Sequence, residues 1–290
     1  MSTKLFKFKN KFTIHSIEEY ICVVKKIFKK EKKNNNLKHL FFRGQTNKEW
    51  ELRPNILREK NYKEKQLVLD FYHYSPIHSL NYDLEKDRIS LLTDMQHYEV
   101  PTRLLDWSLS PLSALYFAVE KNNNPQKDAV VYVLNPWSFN KAILKKTGKD
   151  YDYHPKIHDS YILARALLST YNTLKHYHDI YQIILDKYGY NISLTELEDP
   201  FAFISNYTNN RILSQRGAFT IHGDKDINLL ERTYSYFREN AYKIVIKKCA
   251  KEEIYKQLNW LYINEYTQYP DFKGIKEIVS RTKGFFNIEI

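Results

Sequence analysis

Gln96-His97-Tyr98-Glu99-Val100-Pro101-Thr102-Arg103-Leu104-Leu105-Asp106-Trp107 is the most distinctive stretch of this chain. A shorter stretch upstream reads Phe42-Arg43-Gly44-Gln45. Together they concentrate arginine, a carboxylate, histidine, amides and tryptophan in a chain that has only 7 Gly and 9 Pro. Packing rarely requires such a combination, whereas binding and catalysis do. The sequence therefore predicts that the two stretches form one site.

The bulk composition predicts a folded, cytoplasmic protein. The chain has 290 residues, of which 43% are hydrophobic and 15% aromatic, enough for one large domain or two small ones. Cys22 and Cys249 show neither CxxC nor Cys/His spacing, which argues against a disulfide scaffold and a zinc site. We expect no transmembrane segment and no signal peptide, because the apolar runs are short and the N-terminal residues lack a cleavable pattern.

The net charge of +11 is concentrated at one end of the chain. Residues 1–60 contain 16 Lys and Arg against 6 Asp and Glu, whereas the other 230 residues contain 29 against 28. A general nucleic-acid-binding surface is therefore not implied.

The basic end is predicted to form an amphipathic helix. Ser16-Ile17-Glu18-Glu19 is typical of a capping box, and apolar residues follow it at helical spacing with lysines on the other side. Such a helix either contacts RNA, DNA or an acidic membrane, or is simply solvated. We divide the chain into a basic helix over 1–36, with nucleic acid as a possible partner of 1–33, and a main domain over 37–290.

The main domain is predicted to be α+β, because strands are scattered among helices without a regular alternation. The predicted strands are 37–42, 129–134, 218–221 and 242–246. The predicted helices are 65–75, 88–98, one that begins at Ser110-Pro111, 161–171, 177–188 and 252–263. The helices at 161–171 and 177–188 belong to a predicted helical insertion around 155–205.

Several polar side chains have both a functional and a structural interpretation. Arg43 suits bidentate contact with a phosphate or carboxylate, or an internal salt bridge to Asp106. His97 suits a general base, a phosphate donor or a structural hydrogen bond. Asp106 either acts in the site, held ionised by the amides of the following helix, or forms a buried pair with Arg103.

The amides and the tryptophan have similar alternatives. Gln45 and Gln96 suit the edge of a base or of nicotinamide, or simple solubility. Trp107 offers a face for stacking. Gln215 precedes a strand at a turn and has both a site role and a plain structural one. Asn206 and Arg211 lie in a polar stretch that is predicted to face the same site.

These motifs, in this order, resemble the FRG domain family of bacteria and phages. The resemblance rests on Phe42 to Gln45 with Trp50, Leu52 and Pro54, on Gln96 to Tyr98 and Pro101 to Trp107, on Pro111, Ala114, Phe117 and Ala118, on Asn206, Arg211 and Gln215 to Thr220, and on Ile263 to Glu265, Tyr269 to Asp271 and Gly274. It spans roughly residues 40 to 280. The layout is similar to an ADP-ribosyltransferase fold, which implies a split mixed or antiparallel sheet with surrounding helices.

The resemblance implies a use of NAD, in which Arg43, Asp106-Trp107-Ser108 and Gln215 occupy the three characteristic places. Gln215 departs from the carboxylate expected there and cannot act as a base, so another acid, Asp106 or Glu265, would have to act. The predicted catalytic residues are Arg43, His97, Asp106 and Gln215, and the predicted substrate-binding residues are Gly44, Gln45, Gln96, Thr102, Arg103, Trp107, Asn206 and Arg211. We predict no metal.

Two functions remain open on this basis. One is an NAD-dependent ADP-ribosyltransferase or NAD glycohydrolase, with a toxin or phage-defence role implied by the resemblance. The other is a catalytically silent module that binds a nucleotide or nucleic acid. A nuclease ranks last, because the sequence shows no paired-carboxylate metal motif.

Overall fold

The computed structural model describes residues 8, 10–34, 39–58, 63–84, 87–120, 125–146, 199–223, 228–230, 235–271 and 274. The helices predicted at 161–171 and 177–188, and most of the predicted insertion, lie outside the described residues.

A seven-stranded mixed sheet forms the centre of the described part of the chain, and the predicted α+β class is confirmed. The strands are β1 Lys11–Ile14, β2 Phe41–Gln45, β3 Leu104–Ser108, β4 Ala129–Leu134, β5 Phe201–Phe203, β6 Gly217–Ile221 and β7 Ala241–Ile246. Their order is β1-β7-β4-β2-β3-β6-β5. Among these described strands only β1 and β7 are parallel neighbours, and the other adjacent strands are antiparallel.

The sequence predicted β4, β6 and β7 and missed three other strands. The predicted strand at 37–42 begins four residues early, since β2 starts at Phe41. β1, β3 and β5 were not predicted, and β5 lies at the end of the predicted helical insertion. β3 escaped because four of its five residues are buried, so the alternation that identifies a one-sided strand is missing.

Nine α-helices surround the sheet in the described ranges. They are α1 Ile17–Asn34, α2 Glu64–Tyr74, α3 Arg88–His97, α4 Pro111–Val119, α5 Pro136–Lys146, α6 Asn210–Ser214, α7 Ser235–Asn240, α8 Lys251–Trp260 and α9 Glu265–Gln268. The predicted start of α4 is confirmed, because the Ser110 hydroxyl accepts a hydrogen bond from the Ser113 amide at 3.2 Å. None of these helices is long and apolar enough to cross a membrane.

The basic helix α1 packs against the sheet. Its apolar face, including Tyr20, Val24 and Ile27, shares one hydrophobic core with α4, α8 and strands β1, β2, β4 and β7. Lys25, Lys26, Lys29, Lys30 and Lys32 lie on its exposed side. The region 1–36 therefore contributes a structural helix as well as the basic charge.

The sheet is split between β2 and β3, which pair only at Phe42 and Ser108. Toward Gln45 the two strands separate, although β2 remains fully paired to β4 and β3 to β6. The separation opens a gap in the middle of the sheet, between residues of the two motifs that the sequence singled out.

Candidate functional site

A cavity of about 330 Å³ lies where β2 and β3 separate. Its walls come from residues 42–46 and 104–108, from the end of α3, from α6 with the turn after it, and from Tyr269. The volume is within the range of small-molecule sites, which is roughly 300–1,000 Å³. Seven predicted site residues with polar side chains contribute to one wall or another: Arg43, Gln45, Gln96, His97, Asp106, Arg211 and Gln215.

Arg43 bridges the gap between the two strands. Its Nη1 donates a hydrogen bond to the Asp106 backbone oxygen at 2.6 Å and lies 3.9 Å from the Asp106 carboxylate. Burial lowers the pKa of Arg43 to about 10, partly offset by the Asp106 charge, so the guanidinium stays protonated at neutral pH. The internal contact with Asp106 is therefore present, and the buried Nε makes no hydrogen bond to the described residues.

Asp106 is held by an amide from α3. Gln96 Nε2 donates to Asp106 Oδ2 at 2.8 Å, and Thr102 Oγ1 donates to Gln96 Oε1 at 2.6 Å. Thr102 thereby orients the Gln96 amide, whose nitrogen must face the carboxylate. The partners of the Asp106 side chain are thus Gln96 and Arg43, whereas we expected the amides of α4. Half of this side chain is exposed, so a ligand can reach it.

His97 and Arg211 form another wall. Arg211 Nη1 donates to the His97 backbone oxygen at 3.1 Å, and the guanidinium lies over the Tyr269 ring at 4.7 Å. Partial burial, assisted by the Arg211 charge, holds the pKa of His97 below its usual 6.5. A neutral imidazole at pH 7 accepts a proton or a hydrogen bond, and its Nδ1 makes no bond to the described residues.

A buried carboxylate fixes α6, which carries Arg211. Asp94 accepts hydrogen bonds from Tyr82 at 2.8 Å, Thr208 at 3.2 Å and Asn209 Nδ2 at 2.8 Å. Asn209 in turn caps α6 by accepting from the Ile212 amide at 2.9 Å. Asp94 therefore ties α3 to the start of α6 across a large separation in sequence.

Gln215 lines the cavity, and both its side chain and its backbone oxygen form hydrogen bonds within the protein. Its side-chain Nε2 donates to the Gln268 backbone oxygen at 2.8 Å, and its backbone oxygen accepts from Ser108 Oγ at 2.6 Å. The next residue, Arg216, has a left-handed backbone with φ 52°, which confirms the predicted tight turn before β6.

Arg103 and Asn206 lie away from the cavity, whereas Trp107 borders it from the core. Arg103 is buried and forms a two-pronged ion pair with Glu64 of α2, so the predicted Arg103–Asp106 pair is replaced by this one. Trp107 is 3% exposed and donates from Nε1 to Thr220 at 3.1 Å, a core position that does not suit stacking on a ligand. Asn206 is exposed and does not line the cavity.

Two further predicted residues serve the protein's own packing. Glu265, the alternative acid, is buried and accepts a hydrogen bond from Tyr255. Gly44 does line the cavity, yet a Cβ there would stand 1.9 Å from the Ala114 backbone oxygen of α4. Glycine is therefore required at this position by the close approach of α4, whereas the sequence suggested the approach of a ligand.

Four charged or amphipathic aromatic residues of the cavity were not predicted as site residues: Trp50, Arg58, Glu120 and Tyr269. Trp50 is 45% exposed, so this ring can stack on a ligand where that of Trp107 cannot. Arg58 is exposed, and its charge lies near both Arg43 and Asp106. Glu120 follows the last residue of α4 and adds a second carboxylate. These four residues lie in loops or at helix ends, where no periodic pattern identifies them. Only α4, which ends just before Glu120, was predicted from the sequence.

Comparison with known protein families identifies one domain in this chain. Residues 38–127 match the model of the FRG domain, a range that contains β2, α3, β3, α4 and most of the cavity wall. No curated protein and no solved structure matches this chain. Residues 38–127 of this chain therefore form an FRG domain.

Proposed function

We propose that the cavity binds NAD and cleaves its nicotinamide–ribose bond, as an ADP-ribosyltransferase or NAD glycohydrolase. One observation carries this proposal: Arg43, Asp106 and Gln215, which belong to three separate segments, line a single cavity at the split of the sheet. These are the three places at which the resemblance to ADP-ribosyltransferases implied a site. A toxin or phage-defence role is a prediction from the same resemblance.

Phosphate binding falls to the arginines. Arg58 is exposed at the cavity, and Arg43 stays charged in the same cavity, so the two present positive charge to a pyrophosphate. Glu51 and Arg53 lie nearby and form their own ion pair at 3.1 Å, which leaves Arg58 as the more accessible cation.

Asp106 and Glu120 supply the carboxylates for the reaction, because Gln215 occupies the place at which the resemblance implied a carboxylate. In the proposed step the bond between ribose C1′ and the nicotinamide nitrogen breaks, and its electron pair leaves with nicotinamide. Asp106 stabilises the positive charge that develops on the ribose, because Gln96 and Arg43 engage its Oδ2 and no described residue bonds its Oδ1. An acceptor hydroxyl or water then bonds to C1′ and loses its proton to Asp106 or Glu120.

A silent binding module is the second candidate, and the position of Gln215 favours it. This amide is held by the Gln268 backbone and cannot remove a proton, so the third place of the site lacks a base. In that case the arginines and Trp50 bind the nucleotide and no bond breaks.

Nicotinamide release tests the proposal. Incubation of the protein with NAD is expected to yield free nicotinamide together with ADP-ribose or an ADP-ribosylated acceptor, measured by chromatography and mass spectrometry. Asp106→Asn should lower the rate about 100-fold, because it removes the charge while it keeps the side-chain shape. Asp70→Asn, on the exposed face of α2, is the matched control and should leave the rate unchanged.

The outcomes separate the two candidates. NAD binding without nicotinamide release, with water or with added protein and nucleic acid as acceptors, would establish the binding module. Loss of activity in Glu120→Gln, with Asp106→Asn fully active, would transfer the role of the carboxylate to Glu120.

A further inference from the structure

The wall of the cavity next to Trp50 contains a buried amide oxygen without a partner among the described residues. Gln45 is 5% exposed, lines the cavity and follows Arg43 by two positions on β2, so the two side chains share one face of the strand. Its Nε2 donates to the Glu51 backbone oxygen at 3.1 Å. Its Oε1 is buried and makes no hydrogen bond to any described residue.

The orientation of this amide follows from its neighbour. A backbone carbonyl oxygen accepts hydrogen bonds and cannot donate them, so the amide nitrogen of Gln45 must be the atom that faces Glu51. Oε1 is then the atom that remains for another group. Buried hydrogen-bond acceptors in native proteins nearly always have a partner. We therefore expect a ligand in the cavity to supply an N–H donor to Oε1.

The surroundings indicate what kind of donor fits. Trp50, one residue before Glu51, presents an exposed ring at the same cavity. Arg43 Nε, on the same face of β2 as Gln45, is a buried donor without a partner in the described part of the chain. A flat ring that stacks on Trp50 and carries a donor beside an acceptor satisfies all three groups. An amino-substituted base or ring carboxamide has this edge. A ring carboxylate lacks the donor, and an oxo-substituted base has an acceptor oxygen where the amino group would donate.

We propose that Gln45 and Trp50 form a subsite that selects a ring bearing an amino group, with Gln45 Oε1 accepting its N–H. The inference rests on the proposed function and adds the ring specificity of the same cavity. In NAD two groups carry this chemistry, the 6-amino group of adenine and the carboxamide of nicotinamide.

Three dinucleotides distinguish the two sources: NAD, nicotinamide hypoxanthine dinucleotide, and nicotinic acid adenine dinucleotide. The second replaces the adenine amino group by an oxo group, and the third replaces the carboxamide by a carboxylate. Affinities are measured by calorimetry on the full chain. The analogue that lacks the recognised amino group should bind about tenfold or more weakly than NAD, because it places an acceptor oxygen opposite the acceptor Oε1.

Substitutions at Gln45 and Trp50 test whether these two residues cause the preference. Gln45→Leu keeps a similar volume and should bring the affinities for NAD and the disfavoured analogue to within about twofold of each other. Trp50→Ala should weaken all three ligands together, because stacking does not depend on the amino group. Gln66→Leu, an exposed glutamine on α2, is the control and should preserve the preference.

Equal affinities for all three dinucleotides would overturn this inference and leave the proposed function intact. A preference that survives in Gln45→Leu would also overturn it. Absence of binding for all three dinucleotides would overturn both proposals. The predicted preference without nicotinamide release would support the subsite and contradict the proposed enzyme activity.

Discussion

Single buried polar residues depend on their neighbours for their chemistry. His222 is fully buried on the face of the sheet that carries Trp107, and its Nε2 lies 3.2 Å from the Thr220 hydroxyl. Burial, together with the charges of Arg103 and Arg43, lowers its pKa to about 3. The folded protein therefore keeps this imidazole neutral through the pH range in which an unfolded chain protonates it.

We expect this histidine to make the protein sensitive to acid. Between pH 6.5 and about 3 the unfolded state binds a proton at His222 that the folded state does not, so stability falls as the pH drops below 6.5. In this range protonation of His222 lowers the free energy of unfolding by at most about 1.4 kcal/mol for each pH unit. Above pH 6.5 this loss is absent. Urea unfolding across this range measures it.

His222→Asn should flatten the dependence, because asparagine keeps an acceptor for Thr220 and does not titrate. His15→Asn, at an exposed position, should retain the slope of the parent protein. Identical slopes in all three proteins would show that His222 does not control the response to acid.

At the scale of elements, the packing of α4 on β2 supports one side of the cavity. The helix begins at a serine cap with a proline in its first turn, and Ala114 and Ala118 face the strand. The approach is so close that a Cβ on Gly44 would lie 1.9 Å from the Ala114 oxygen and 2.7 Å from the Ala118 nitrogen. These two backbone atoms are four residues apart in one helix and cannot be moved as a flexible side chain can.

Gly44→Ala should therefore be strongly destabilising. α4 must shift off β2, and we expect a loss of about 3 kcal/mol in the free energy of unfolding, measured by urea denaturation. Gly217→Ala is the matched control, because its nearest contact is the Ile212 side chain at 3.0 Å, which can move. It should cost less than about 1 kcal/mol. Equal losses for the two variants would contradict this account of Gly44.

At the scale of the whole molecule, α1 carries its lysines on one face and the side chains that it contributes to the core on the opposite face. Tyr20, Val24 and Ile27 are buried in the core, whereas the lysines on the other face are exposed. Deletion of residues 1–33 would expose that core and unfold the protein, so it cannot test a role in nucleic-acid binding. Substitution of the exposed lysines tests the role without this complication.

Nucleic-acid binding by α1 remains a prediction, and its test is the salt dependence of affinity. Glutamine at Lys25, Lys26, Lys29 and Lys32 should reduce the slope of log Kobs against log salt by about 0.9 for each phosphate that is no longer neutralised, in fluorescence titrations with duplex DNA. Four exposed lysines elsewhere provide the control: Lys63, Lys141, Lys145 and Lys248. An equal change of slope in the two sets would indicate non-specific attraction.

The sequence by itself determined the presence of an FRG domain, the α+β class, the cap and course of α4, the buried strand β4 and the location of the cavity-lining motifs. These features depend on local signals: a capping serine, a run of apolar residues, or an ordered motif. It also identified seven polar side chains that line the cavity, because their residue types are unusual in combination.

The tertiary structure decided which way each side chain faces and what it contacts. Four of the five residues of β3 are buried, so no sequence pattern showed that Trp107 lies in the core while Asp106 borders the cavity. Glu120 and Trp50 join the site only because β2 and β3 separate next to them. The physical reason is that periodicity reports local contacts, whereas the cavity is formed by pairing between segments that are distant in sequence.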